Sequence, residues 1–97
     1  MTTKLLAWEL PDYTARIQLK TAIWCFRRMM KTKEDKPERV LHYFGKCIHY
    51  VTVYNETISA YSLKGEISDY QMYKLVSLSC SLNAKAIRCC KNKISKG

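Results

Sequence analysis

Between Ala15 and Met30 the apolar side chains return at intervals of three and four, as Ala15, Leu19, Ala22, Ile23, Phe26, Met29 and Met30. At about 100° per residue these positions share one arc of roughly 120°, the width of a helix face that packs on a core. The pattern predicts a helix from Pro11 or Asp12 to about Lys31. A polar run, "KTKEDKP" (Lys31 to Pro37), interrupts it, and the proline suits the first turn of a second helix.

The stretch from Pro37 to Leu63 carries two periodicities at once. Steps of four and three connect Val40, Phe44, Cys47, Val51, Tyr54, Ile58 and Tyr61 into a helical seam. Turned at Asn55 and Glu56 instead, the chain pairs Val53 with Ile58, Val51 with Ala60, Tyr50 with Tyr61 and Ile48 with Leu63 across a hairpin. The β-branched and aromatic residues of "IHYVTVYN" favour strands. Gly45 costs a helix about 1 kcal/mol, and "NE" is a weaker turn than "NG". The unbroken seam favours the helix, and its length decides. The expected fold is all-α, a small bundle of three to four helices, with an α+β domain carrying a β-hairpin at about 47–63 as the alternative.

A second interruption, "LKGEIS" (Leu63 to Ser68), places Gly65 as a helix terminator. Ser68, followed three residues later by Gln71, has the spacing of a capping box and opens a third helix from Asp69 to about Lys93. At "CSLN" (Cys80 to Asn83) this segment either continues, giving an up-down-up bundle, or breaks near Leu82. A break gives a helix-turn-helix in which Ser81 turns the chain and Asn83 caps a recognition helix presenting Lys85, Arg88 and Lys91. Ser81 in place of the usual turn glycine makes the match loose, and an ordinary basic C-terminal helix is the simpler expectation.

Ninety-seven residues, 47% hydrophobic and 26% charged, make a single folded domain spanning 1–97. The longest apolar runs, Leu5 to Trp8 and Ala22 to Phe26, fall far short of the roughly 18 to 20 residues that cross a bilayer. Glu9 cuts the first run before it resembles a secretory h-region, so a cytoplasmic protein without membrane contact is expected. In that setting Cys25, Cys47, Cys80, Cys89 and Cys90 remain thiols. None has paired metal-ligand spacing: Cys47 and His49 stand two apart, and Cys89 adjoins Cys90. No cofactor or metal is expected, and the scattered carboxylates and ungrouped glycines offer no acid–base pair or phosphate loop, so an enzyme is not expected.

Charge adds the main functional clue. Seventeen Lys and Arg against eight Asp and Glu give +9, an excess that attracts polyanions. Opposite the apolar arc of the first helix, Arg16, Lys20, Arg27 and Lys31 fall within about 60°, and Tyr13 and Trp24 join the same stripe within about 80°. Cations neutralise phosphates while Tyr and Trp stack on unpaired bases, so this face suits RNA or single-stranded DNA. A second basic group, Lys85, Arg88, Lys91 and Lys93, lies beyond the last acidic residue, Asp69. The expectation is a non-catalytic nucleic-acid-binding regulator or small subunit of a nucleoprotein complex. The competing class is a protein-binding modulator or inhibitor that docks on a nucleic-acid-processing enzyme. The nearly neutral segment 47–63, with Glu56 its one charged residue, is then a candidate interface for a homo-oligomer or protein partner, or simply core.

Overall fold

Helices occupy the three segments that the apolar spacing marks. A computed structural model of the chain describes residues 13–96, in which α1 is Tyr13–Lys31, α2 is Pro37–Leu63 and α3 is Asp69–Lys96. Pro37 opens α2 in the first-turn position where its missing N–H costs nothing. α2 ends in a Schellman arrangement: Gly65 at φ 77° donates its N–H to the Ser62 carbonyl at 3.0 Å, and Glu66 donates to Tyr61 at 2.9 Å. The capping box forms as spaced, with Gln71 N donating to Ser68 Oγ at 3.1 Å and Ser68 N to Gln71 Oε1 at 2.9 Å.

No strand occurs among the described residues, which overturns the hairpin alternative at 47–63. The seam explains why. Val40, Cys47, Val51, Tyr54, Ile58 and Tyr61 are all buried along one face of α2, and only Phe44 of the expected seven stays half-buried. Burial of a whole helical face outweighs the strand preference of individual β-branched residues. Thr57 also satisfies its hydroxyl within the helix, donating to the Val53 carbonyl at 3.0 Å. Gly45 sits on the exposed side with open space around it, so its cost to the helix is conformational only.

α3 runs through Cys80 to Asn83 without a break, which removes the helix-turn-helix reading: Ser81 makes no turn and Asn83 caps nothing. Just before this stretch two serines bond back into the helix, Ser77 Oγ donating to the Tyr73 carbonyl at 2.7 Å and Ser79 Oγ to that of Val76 at 2.9 Å.

The helices form an up-down-up bundle 50 × 20 × 18 Å in extent, with α2 packed along both neighbours. Its core has two parts. Towards the α2–α3 connection, Leu19, Tyr54, Ile58, Tyr61, Ile67 and Leu75 pack with Ala15. Towards the α1–α2 connection the residues are smaller: Ala22, Cys25, Cys47, Ala86 and Cys90, with Val40, Val51, Leu82 and Met29. Two inward polar ties reinforce the packing, from the buried Tyr54 hydroxyl to the Leu75 carbonyl at 3.3 Å and from the fully buried Ser79 hydroxyl to Asn55 Oδ1.

The buried stripe of α1 is rotated from its expected position. Cys25 is in the core, whereas Ile23 and Phe26 are half-buried and Met30 is 47% exposed. α1 and α3 touch each other far less than either touches α2, so among the described residues the α3-facing edge of α1 is left open.

Candidate nucleic-acid interface

Trp24 and Arg28 stand one turn apart on α1, which places their side chains together on the helix surface. Beside them, α2 presents Tyr43. The Trp24 and Tyr43 rings meet edge to face, 6.2 Å between centroids and 76° between planes. The Arg28 guanidinium lies 5.4 Å from the Trp24 centroid and 5.7 Å from that of Tyr43, a cation over two rings. Trp24 nevertheless keeps 55% of its surface exposed. A large, rigid aromatic held by its neighbours and open to solvent has a face available for stacking.

The α1–α2 connection extends this cluster with charge. Arg28, Lys31, Lys33, Lys36 and Arg39 surround a hollow of about 330 Å³ against Tyr43 and Thr32. Across the same end of the bundle, α3 brings Lys85, Arg88 and Lys93 around a second hollow of about 460 Å³ with Phe26, Cys89, Asn92 and the carboxylate of Glu34. Lys93 is tied into the fold, donating through Nζ to the Thr32 carbonyl at 2.8 Å and joining α3 to the end of α1. Lys91 is exposed on the last part of α3. Glu34, Asp35 and Glu38 are the only carboxylates between residues 27 and 39, so the positive charge dominates.

The basic stripe expected on α1 is thus divided between two surfaces. Trp24 and Lys31 turn towards α2. Arg16, Lys20 and Arg27 instead flank a groove of about 640 Å³ between α1 and α3, where Lys85 stands on the opposite side. Tyr13 begins α1, and its side chain lies outside the described residues. Arg28, Tyr43, Lys33, Lys36 and Arg39 join the site without having been singled out by the sequence pattern. Arg28 was within reach of sequence reasoning through its four-residue offset from Trp24, but Tyr43 joins the cluster only because α2 packs beside α1.

The tyrosines of the neutral segment mostly face inward. Tyr54 and Tyr61 are buried and Tyr50 is half-buried, while the outer face of 47–63 shows Thr52, Glu56, Ser59, Ala60 and Leu63. Burial raises the Tyr54 hydroxyl to a pKa of about 12.

The thiols are core material at three of their five positions. Cys25, Cys47 and Cys90 are buried, Cys89 is half-buried and Cys80 is exposed, all unpaired. Desolvation pushes the Cys47 thiol from 9.0 to about 11, with the nearby Cys25 adding to the rise, and also raises Cys25 and Cys90. Such thiols stay protonated and unreactive at neutral pH. Cys47 points into the core while His49, two residues on, is exposed, and among the described residues no three His, Cys, Asp or Glu side chains gather as a metal site. Among those residues, too, no helix is long and apolar enough to cross a membrane.

Compared with known proteins, the chain matches no family model, no curated protein and no solved structure.

Proposed function

We propose that this protein binds single-stranded nucleic acid, RNA or single-stranded DNA, at the end of the bundle where α1 meets α2, and serves without catalysis as a regulator or small subunit of a nucleoprotein complex. The observation that carries the reading is the Trp24–Arg28–Tyr43 cluster at the edge of the Lys31, Lys33, Lys36 and Arg39 hollow. An exposed ring offers a platform for an unpaired base, and the adjoining cations neutralise the phosphates on either side of it. Lys85, Arg88 and Lys91 on α3, with Arg27 on α1, widen the positive field and draw the strand in.

Fluorescence anisotropy with a labelled single-stranded 12-mer, repeated over a range of salt, tests the assignment. Trp24→Ala should weaken binding by roughly 1–3 kcal/mol and leave the salt slope nearly unchanged. Replacing Lys31, Lys33 and Lys36 together should flatten log K against log salt by about one unit for each phosphate that is no longer neutralised. Unchanged affinity in both folded variants would dismiss the site.

A further inference from the structure

Among the described residues, three helices in an up-down-up bundle leave one position vacant, the side of α1 and α3 that faces away from α2. Here that position is a groove. Leu19, Ile23, Phe26 and Leu82 form its floor, and Met30 and Leu78 its lips, 47% and 50% exposed. Along α1 it runs from Arg16 to Met30, about 21 Å or four turns at the rise of an α-helix. An apolar channel of that length beside two parallel helices has the dimensions of a fourth helix seat.

The charges around the channel say which helix. Arg16, Lys20 and Arg27 line one side and Lys85 the other, and among the described residues lining the groove there is no carboxylate. We infer that the α1–α3 groove is a docking site for an acidic amphipathic helix of a partner protein. Such a helix lays its Leu, Met or Phe stripe on the floor and sets Glu or Asp on both flanks against the cations. Met30 at the lip adapts to side chains of different shape, as methionine does at helix-binding surfaces.

Other occupants satisfy fewer of these features. A second copy of this chain brings +9 against +9. A nucleic-acid strand meets a mostly aliphatic floor in which Phe26 is the one ring, with Ser77 and Ser81 the only uncharged polar side chains among the lining residues. The chain's own first twelve residues contain an apolar run, but Glu9 and Asp12 against Lys4, with Pro11 between them, are too few to set carboxylates along both flanks of a helix. Arg27 and Lys85 border both surfaces, but the inference rests on the apolar floor of the α3-facing side of α1 and not on the Trp24 cluster.

The test uses the full chain and a designed probe: a capped, fluorescein-labelled 16-residue peptide with Leu at helical three-four spacing and Glu on both flanks. Saturable binding should appear by anisotropy, with amide shifts in NMR spectra concentrated on α1 and α3. The same peptide with Lys in place of Glu should not bind. Leu78→Glu and Met30→Glu, both at exposed positions and hence compatible with folding, should each weaken the Glu peptide about tenfold or more. A K20E/K85E chain should lose the Glu peptide and gain the Lys peptide. Trp24→Ala should leave peptide binding intact while weakening the oligonucleotide, so the two readings fail separately. Absence of saturable binding, indifference to Leu78→Glu, or equal binding of the Lys peptide overturns the inference. So does binding that emerges only in an L5E/W8E chain, which assigns the groove to the protein's own N-terminal segment, or a dimer abolished by L78E in sedimentation, which assigns it to a second copy.

Discussion

The two ends of the bundle are built differently. At the α2–α3 connection, bulky Tyr54, Ile58, Tyr61 and Leu75 fill the core beneath a surface of mixed charge that includes Glu56, Lys64, Glu66, Asp69 and Lys74. At the α1–α2 connection, Ala22, Ala86 and three cysteines share the core with Met29, Val40, Val51 and Leu82, and cations crowd the surface. Helix polarity accounts for part of the charge difference. α1 and α3 both end at the second site, where Arg28, Lys31, Lys91 and Lys93 face the negative ends of two helix dipoles, and Glu38 sits in the first turn of α2. At the opposite end Asp69 occupies the first turn of α3. The dipoles make positive charge tolerable there but do not require an exposed Trp24 with Arg28 over its ring, and that surplus is where function is to be sought.

The difference can be broken most strongly at the large-residue end. Ile58→Ala should destabilise the fold by about 2–5 kcal/mol in urea denaturation, because a fully buried side chain leaves a cavity among neighbours too rigid to close it. At the small-residue end the vulnerable direction reverses. Ala86→Met adds volume where helices approach through alanine and thiol, and should cost about 1–3 kcal/mol, with Ala22→Met behaving alike. Equal tolerance of enlargement at both ends would remove the contrast.

Alkaline pH should expose the thiols of the small-residue end before the tyrosine of the other. Cys47 holds its proton to about 11 in the fold and releases it near its ordinary 9.0 when unfolded, so its stabilisation is complete below pH 9 and lost as pH rises towards 11. Tyr54 acts in the same sense from pH 10 to about 12. The melting temperature should therefore fall across pH 9–11, and Cys47→Ala should flatten the early part of that fall. A fall of the same shape in the variant would show that other groups control it.

A finer contrast lies between the two buried tyrosines. Tyr54 donates to the Leu75 carbonyl, and Tyr54→Phe should cost about 1 kcal/mol. The buried Tyr61 hydroxyl has no hydrogen-bond partner among the described residues, so Tyr61→Phe should change stability by less than about 0.5 kcal/mol, or raise it. Thermal melts of the pair provide the comparison.

Local signals accounted for most of the fold. Pro37, Gly65, and the Ser68–Gln71 pair act within a few residues of themselves, and each marked a boundary that the helices observe. The seam of α2 was legible because helix geometry alone gathers residues spaced by three and four. The hairpin reading failed because propensity weighs residues singly, whereas burial rewards the complete face. The helix-turn-helix reading failed because Ser81 and Asn83 suit a turn and a cap but are equally accommodated inside a helix, and α3 runs through both.

The candidate site was legible only in part. Trp24 and Lys31 on one helix implied an aromatic and basic face, and Lys85, Arg88 and Lys93 a second basic group, but their neighbours came from elsewhere in the chain. By itself, then, the sequence determined a helical fold, the boundaries at Pro37, Gly65 and Ser68, the central seam and an excess of positive charge, since each depends on interactions within a turn or two or on composition. The tertiary structure decided that Tyr43 sits beside Trp24, that Arg27 and Lys31 serve different surfaces, and that Phe26 and Met30 border a groove. Those outcomes depend on how far α1 and α3 stand apart on α2. That distance is set by side chains meeting from three separate helices, and no periodicity within one of them records it.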